Sequence, residues 1–139
     1  MSDADQIENG QSEVAVPSAL AVMLDHVRQL CGDAILDAKI SNATIVMTLA
    51  SPDPTPVLIS LRDDPFAAFN QLSDMTAVDY PDRPSRFEMV YQLLSMKNNM
   101  RLRLLMPIDE GQAVPSIVGL FSAANWAERE VWDMFGIFF

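Results

Sequence analysis

"RFEMVYQLLSMKNNMRLRLLM", residues 86 to 106, decides how the chain folds. Phe87, Met89, Tyr91 and Leu93 alternate with Glu88, Val90, Gln92 and Leu94, the period of two that sends successive side chains to opposite faces of a strand. After Lys97, Asn98 and Asn99 the alternation resumes, with Met100, Leu102, Leu104 and Met106 set against Arg101 and Arg103. Two long antiparallel strands joined by a short turn are expected, with both arginines on the face turned away from the core.

Working outward, "FNQLSDMTAVDY" reads as a further strand closed by Pro81, and "DRPSR" as an exposed connector. Farther back, "AILDAKI" and "TIVMTLA" are rich in branched residues and read as a hairpin with Ser41 and Asn42 at its turn. "SPDPTP" then interrupts regular structure. Thr55 before Pro56 has the form of an N-cap followed by proline at the first helical position, which predicts a short helix over "VLISLRDD", with a strand as the competing reading. Near the start, Leu20, Leu24, Val27 and Cys31 recur at helical spacing, Met23 and Leu30 widen the stripe, and Gly32 is a natural stop. Toward the end, "PIDEGQAVPS" is a loop and a last helix runs from about Asn125 to Gly136. This order predicts one two-layer α+β domain over residues 17–139, with helices packed on one side of a mixed β-sheet. Residues 1–16 are acidic and are expected to form a disordered tail.

Composition removes several function classes. The formal net charge of −10 opposes binding to nucleic acid, whose phosphates need neutralising lysines and arginines. Five of the nine basic residues, Arg83, Arg86, Lys97, Arg101 and Arg103, nevertheless fall within one segment that holds a single acid, Glu88. A basic band on an acidic body can orient a protein against a partner. Cys31 is the only cysteine and His26 the only histidine, too few for a disulfide framework, a zinc site or an iron–sulfur cluster. No apolar run is long enough to cross a membrane; Ser122 and Asn125 break the longest, Ile117 to Ala127. The acidic start has neither the positive n-region of a secretory signal nor the arginines of a transit peptide. A cytoplasmic protein is the default.

The last helix, "NWAEREVWDMF", concentrates the remaining signal. At 100° per residue Ala127, Val131, Met134 and Phe135 share an apolar face, while Trp126, Arg129, Glu130 and Asp133 gather on the other. Glu128 and Glu130, near the helix start, are accounted for by the macrodipole at about 0.3–1 kcal/mol each. Asp133 sits against that dipole, and an exposed pair with Arg129 repays only about 0.3–0.5 kcal/mol. Three readings of this face remain open from the residues alone. It is a docking surface anchored by tryptophan and arginine, a plain solvated face, or a general acid/base pair of Glu130 and Asp133 in a free-standing hydrolase.

From Phe69 to the end, the chain closely resembles the thirty-kilodalton subunit family of respiratory complex I, the proton-translocating NADH:quinone oxidoreductase. Two blocks carry the resemblance: "LSDMTAVDYP…RFEMVYQLLS", and "EREVWD" at Glu128, Arg129, Glu130 and Asp133, followed by Met134, Phe135 and Gly136. Weaker similarity reaches back through the first helix and hairpin, and the stretch from Leu49 to Leu61 matches loosely. The resemblance implies a two-layer α+β fold and a peripheral-arm subunit that itself holds no flavin, cluster or metal. FMN, iron–sulfur clusters and quinone would be bound by other subunits. It implies packing against the neighbour that forms much of the quinone pocket and against the iron–sulfur subunits, on the cytoplasmic side of a bacterial inner membrane, and so association with the membrane only through the complex. Under this reading Trp126, Glu128, Arg129, Glu130 and Asp133 are the candidate subunit interface, with no catalytic residue. The equivalent subunit of a related membrane hydrogenase or ferredoxin-linked complex is the nearest alternative. Family members continue past "GIFF" into a "GHPDLRR"-like segment and a basic tail, so the chain is expected to lack that C-terminal extension.

Overall fold

The computed structural model describes the backbone of residues 11–139 and the side chains from residue 19 onward. In chain order the elements are α1 (Gln11–Cys31), a short 3-10 turn (Gly32–Ala34), β1 (Ile35–Ser41), β2 (Thr44–Leu49), α2 (Thr55–Asp63), β3 (Gln71–Asp79), β4 (Phe87–Ser95), β5 (Met100–Ile108) and α3 (Ala124–Phe135). The strands form one mixed sheet in the order β1-β2-β5-β4-β3. All neighbours are antiparallel except β2 and β5, which run parallel and pair Ile45 with Leu102 through Thr48 with Leu105.

The strand pattern matches the alternation in the sequence. Met47, Leu104, Tyr91 and Met75 stand in one cross-sheet row on the inner face and are all buried. Leu20, Met23 and Val27 of α1, Val57, Leu58 and Leu61 of α2, and Ala124 and Val131 of α3 join them in a single core cluster. Burying a side chain of this size contributes roughly 1.5–3 kcal/mol, so the inner face holds all three helices to the sheet. Val46 and Val90 are buried on the opposite face and stand outside that cluster. The domain therefore has two layers, and Arg101 and Arg103 project from its uncovered side.

Several boundaries differ from expectation for local reasons. Helix α1 begins at Gln11, so the stretch expected as a tail ends inside it, while residues 1–10 lie outside the described residues. Pro17 removes one backbone donor but does not prevent a helix that goes on to bury Leu20, Met23 and Val27. The β1–β2 turn is centred on Asn42 and Ala43, with φ of 52° and 62°, one residue later than the expected Ser41 and Asn42. Two consecutive positive φ values are what a type I′ hairpin turn requires. Thr55 does not cap α2: it is the first helical residue, and Asp53 Oδ1 accepts its N–H at 3.0 Å. Strand β5 takes in Pro107 and Ile108, two residues that the loop was expected to hold. Pro107 lies beyond the segment paired with β2, where a missing donor costs little.

His26 is not isolated among polar neighbours. Its Nε2 lies 2.7 Å from Asp64 Oδ2, and its ring meets Phe66 edge to face at 4.7 Å, so it fastens α1 to the end of α2. Asp64 Oδ2 also accepts the Ala67 N–H at 2.8 Å. At the free edge of the sheet, the Arg28 guanidinium donates to the Ala38 carbonyl of β1.

Candidate functional site

Helix α3 is seated by Ala124, Glu128 and Val131, which are buried, and by Phe135, which meets Phe87 of β4 edge to face at 6.2 Å. This inward stripe is rotated from the expected one. Met134, expected in the core, is 75 % exposed, and Glu128, expected at the surface, is 8 % exposed. A buried carboxylate is tolerated only when its oxygens are satisfied. Here Oε1 accepts the Ser116 hydroxyl and Oε2 the Ile117 backbone N–H, both at 2.8 Å. The loop before α3 supplies these donors, so Glu128 staples that loop to the helix and is not part of the exposed candidate interface. No helical periodicity carries this information, because the partners lie eleven and twelve residues away.

Beneath the helix, Tyr91 of β4 is fully buried, and its hydroxyl makes no hydrogen bond among the described residues. Burial, then the negative charge of Glu128 and more weakly of Asp53, raises its phenol above the ordinary tyrosine range. Glu128 and Glu130 do not sit in the first turn, which begins at Ala124 and contains no acid, so the macrodipole does not account for them. Nor do Arg129 and Asp133 form an ion pair with each other; the pairs made among the described residues are His26–Asp64, Arg62–Asp63, Arg83–Glu88, Arg86–Asp79 and Arg86–Glu110. The helix ends at Gly136, whose φ of 70° and N–H bond to the Trp132 carbonyl give the left-handed stop expected there.

The outward face of α3 carries Trp126, Arg129, Glu130 and Asp133, all exposed as the helical spacing predicts. Trp132 and Met134 join them, which the spacing argument does not anticipate. Trp132 is 51 % exposed and meets Phe138 edge to face at 5.9 Å. Beside them lies an open groove of about 250 Å³ lined by Asn125, Glu128, Arg129, Trp132, Phe138 and Phe139. The tail after α3 folds back: Ile137 is buried, and the Phe138 carbonyl accepts the Val114 N–H at 2.8 Å. The repeat of tryptophan six residues apart was the available signal for a wider aromatic face.

Chemically this surface fits recognition. Trp126 at 66 % exposure beside Arg129 combines the residue types that anchor interfaces. Glu130 and Asp133 stand on an exposed helix face, without a burial or charge environment that separates an acid from a base. Among the described residues no three His, Cys, Asp or Glu side chains gather as a metal site, and no helix is long and apolar enough to cross a membrane.

The fold and the charged last helix define a two-layer α+β domain whose distinguishing surface is an aromatic, mixed-charge helix closed by a left-handed glycine. The chain belongs to the thirty-kilodalton subunit family of respiratory-chain NADH dehydrogenase: the model of the family "Respiratory-chain NADH dehydrogenase, 30 Kd subunit" matches residues 47–139, from the middle of β2 to the last residue. The NADH-quinone oxidoreductase subunit designated C in Methylobacterium radiotolerans is 41 % identical over 122 residues, covering 88 % of this chain and 57 % of that one. The protein of the same name from Cereibacter sphaeroides is 41 % identical over 124 residues, covering 89 % and 62 %. That from Rhodospirillum rubrum is 52 % identical over 88 residues, covering 63 % and 41 %. The chain thus spans less than two thirds of the length of these relatives. Among solved structures, a chain of the membrane-bound sulfane sulfur reductase, an archaeal respiratory membrane complex, superposes with a TM-score of 0.68 at 20 % identity, covering 86 % of this chain and 69 % of that one. At that identity the likeness concerns the fold.

Proposed function

We propose that this chain is a non-catalytic, peripheral-arm subunit of a proton-translocating NADH:quinone oxidoreductase, which supports electron transfer from NADH to quinone by holding other subunits in place. In this reading it binds no FMN, cluster or quinone itself. It packs against the quinone-pocket subunit and the iron–sulfur subunits on the cytoplasmic side of the inner membrane, and meets the membrane only through them. The family match over β2 to α3 carries the proposal. The exposed Trp126, Arg129, Glu130 and Asp133 support α3 as the docking face.

The test is affinity purification of the tagged chain from native membranes. Recovery of NADH-oxidising, cluster-bearing partners is expected, and their absence would count decisively against the reading. Partners that carry clusters but no flavin-and-NADH module would point instead to a related membrane hydrogenase or ferredoxin-linked complex. Trp126→Ala and Asp133→Lys are expected to weaken capture of the quinone-pocket subunit by roughly tenfold while stability changes by less than about 0.5 kcal/mol. Unfolding with unchanged capture by the surviving fraction would make these structural positions. Turnover by the lone chain that vanishes in Glu130→Gln would replace the scaffold reading with a hydrolase.

A further inference from the structure

The basic band seen in the sequence separates into two parts in the fold. Arg86 is bound to Asp79 through two bonds of 2.8 Å, and Arg83 lies over the Tyr80 ring and reaches Glu88. Lys97 donates to the Pro65 carbonyl. These three act locally. Arg101 and Arg103 have no carboxylate partner among the described residues, although both are exposed and sit two residues apart on the same face of β5. Like charges placed that close are mutually unfavourable, and nothing in the described fold offsets them.

Their setting is the uncovered face of the sheet. Register places Arg103 between Val46 of β2 and Gln92 of β4, and the adjacent row runs through Thr48, Leu105 and Val90. Two arginines thus stand over a flat floor of valine, leucine, threonine and glutamine at the centre of the sheet. Acids occur only toward its margins: Asp37 on β1, Asp74 on β3, and Glu88, which Arg83 already engages. Arginine over an apolar floor with charge kept to the rim is the anatomy of a docking site.

We propose that this open sheet face is a second docking surface, separate from α3, and that its occupant is a different protein presenting paired carboxylates to Arg101 and Arg103. Charge complementarity selects the occupant. A symmetric dimer through this face sets the arginines of one copy against those of the other, because an isologous interface brings like patches together. Nucleic acid and anionic lipid are both opposed by the net charge of −10, with only two unpaired arginines on this face to hold them. A carboxylate-bearing protein surface matches both the guanidinium forks and the apolar floor.

A photo-activated cross-linker at Gln92 of the full chain, in native membranes, tests this. Cross-links to an acidic segment of another polypeptide are expected, with a yield that falls roughly tenfold in Arg101→Glu/Arg103→Glu and less in Arg103→Gln. The yield is also expected to fall as salt is raised. A cross-linker at Trp126 serves as reference and is expected to keep its yield in the same variants, which also reports that the variants fold. Cross-links from Gln92 to a second copy, to nucleic acid or to lipid, no cross-links, or a yield indifferent to the charge reversal would each overturn the proposal. Because the readout is the chemistry of the neighbour, an acidic neighbour outside any NADH-oxidising complex would defeat the proposed function and leave this inference standing.

Discussion

Glu128 and Tyr91 form a contrasting pair at the scale of single residues. Both carry buried polar groups, one satisfied by two donors and one by none. Removing the satisfied group strands its partners, so Glu128→Ala is expected to destabilise the domain by about 1.5–3 kcal/mol in urea unfolding. Tyr91→Phe removes a hydroxyl that gains nothing from burial and is expected to be neutral or stabilising by up to about 1 kcal/mol. A large loss in Tyr91→Phe would mean that the hydroxyl is bound. The same comparison explains why the inner face of α3 was only half legible in the sequence. Val131 and Phe135 follow from helical spacing, but an acid is assigned to solvent unless its donors are known, and those donors sit in an irregular loop.

Among the elements, the strands were the most legible because the period of two is written locally in Phe87 to Met106. Turn register was not, since it depends on backbone angles that neighbouring side chains only bias. Ala43 holds φ of 62° in the hairpin turn, a region costly for any side chain and free for glycine. Ala43→Gly creates the favoured Asn-Gly turn and is expected to raise stability by about 0.5–1 kcal/mol, measured as a shift of the denaturation midpoint with unchanged slope. The α1–α2 clasp was also hidden, because Asp64 lies far from His26 in the chain. The Ala67 N–H first, then His26, hold the Asp64 carboxyl below its ordinary range against the opposing effect of burial. A carboxyl with a depressed folded-state pKa stabilises the fold above its unfolded value, near 4, and loses that contribution as pH falls through the folded value. Asp64→Asn is therefore expected to flatten the fall in stability below about pH 4. An unchanged acid limb would show that the clasp contributes nothing.

Across the whole molecule, the helices cover one face of the sheet and leave two distinct surfaces exposed. One is aromatic and of mixed charge on α3; the other is flat and centred on Arg101 and Arg103. The two-layer class was legible from element order alone. The division of the basic band was not, because which arginines are neutralised depends on Asp79, Glu88 and Glu110 arriving from other elements.

The parallel ladder between β2 and β5 also bears on how the chain assembles. Among the described residues it is the sole strand contact joining the N-terminal hairpin to the C-terminal meander, and its halves are made far apart in synthesis. Closing so long a loop is slow, since its entropy is spent before any non-local contact rewards it. On the ribosome the nascent hairpin must wait with β2 unpaired on one side until β5 emerges, which makes this interval the time when a chaperone has most to protect.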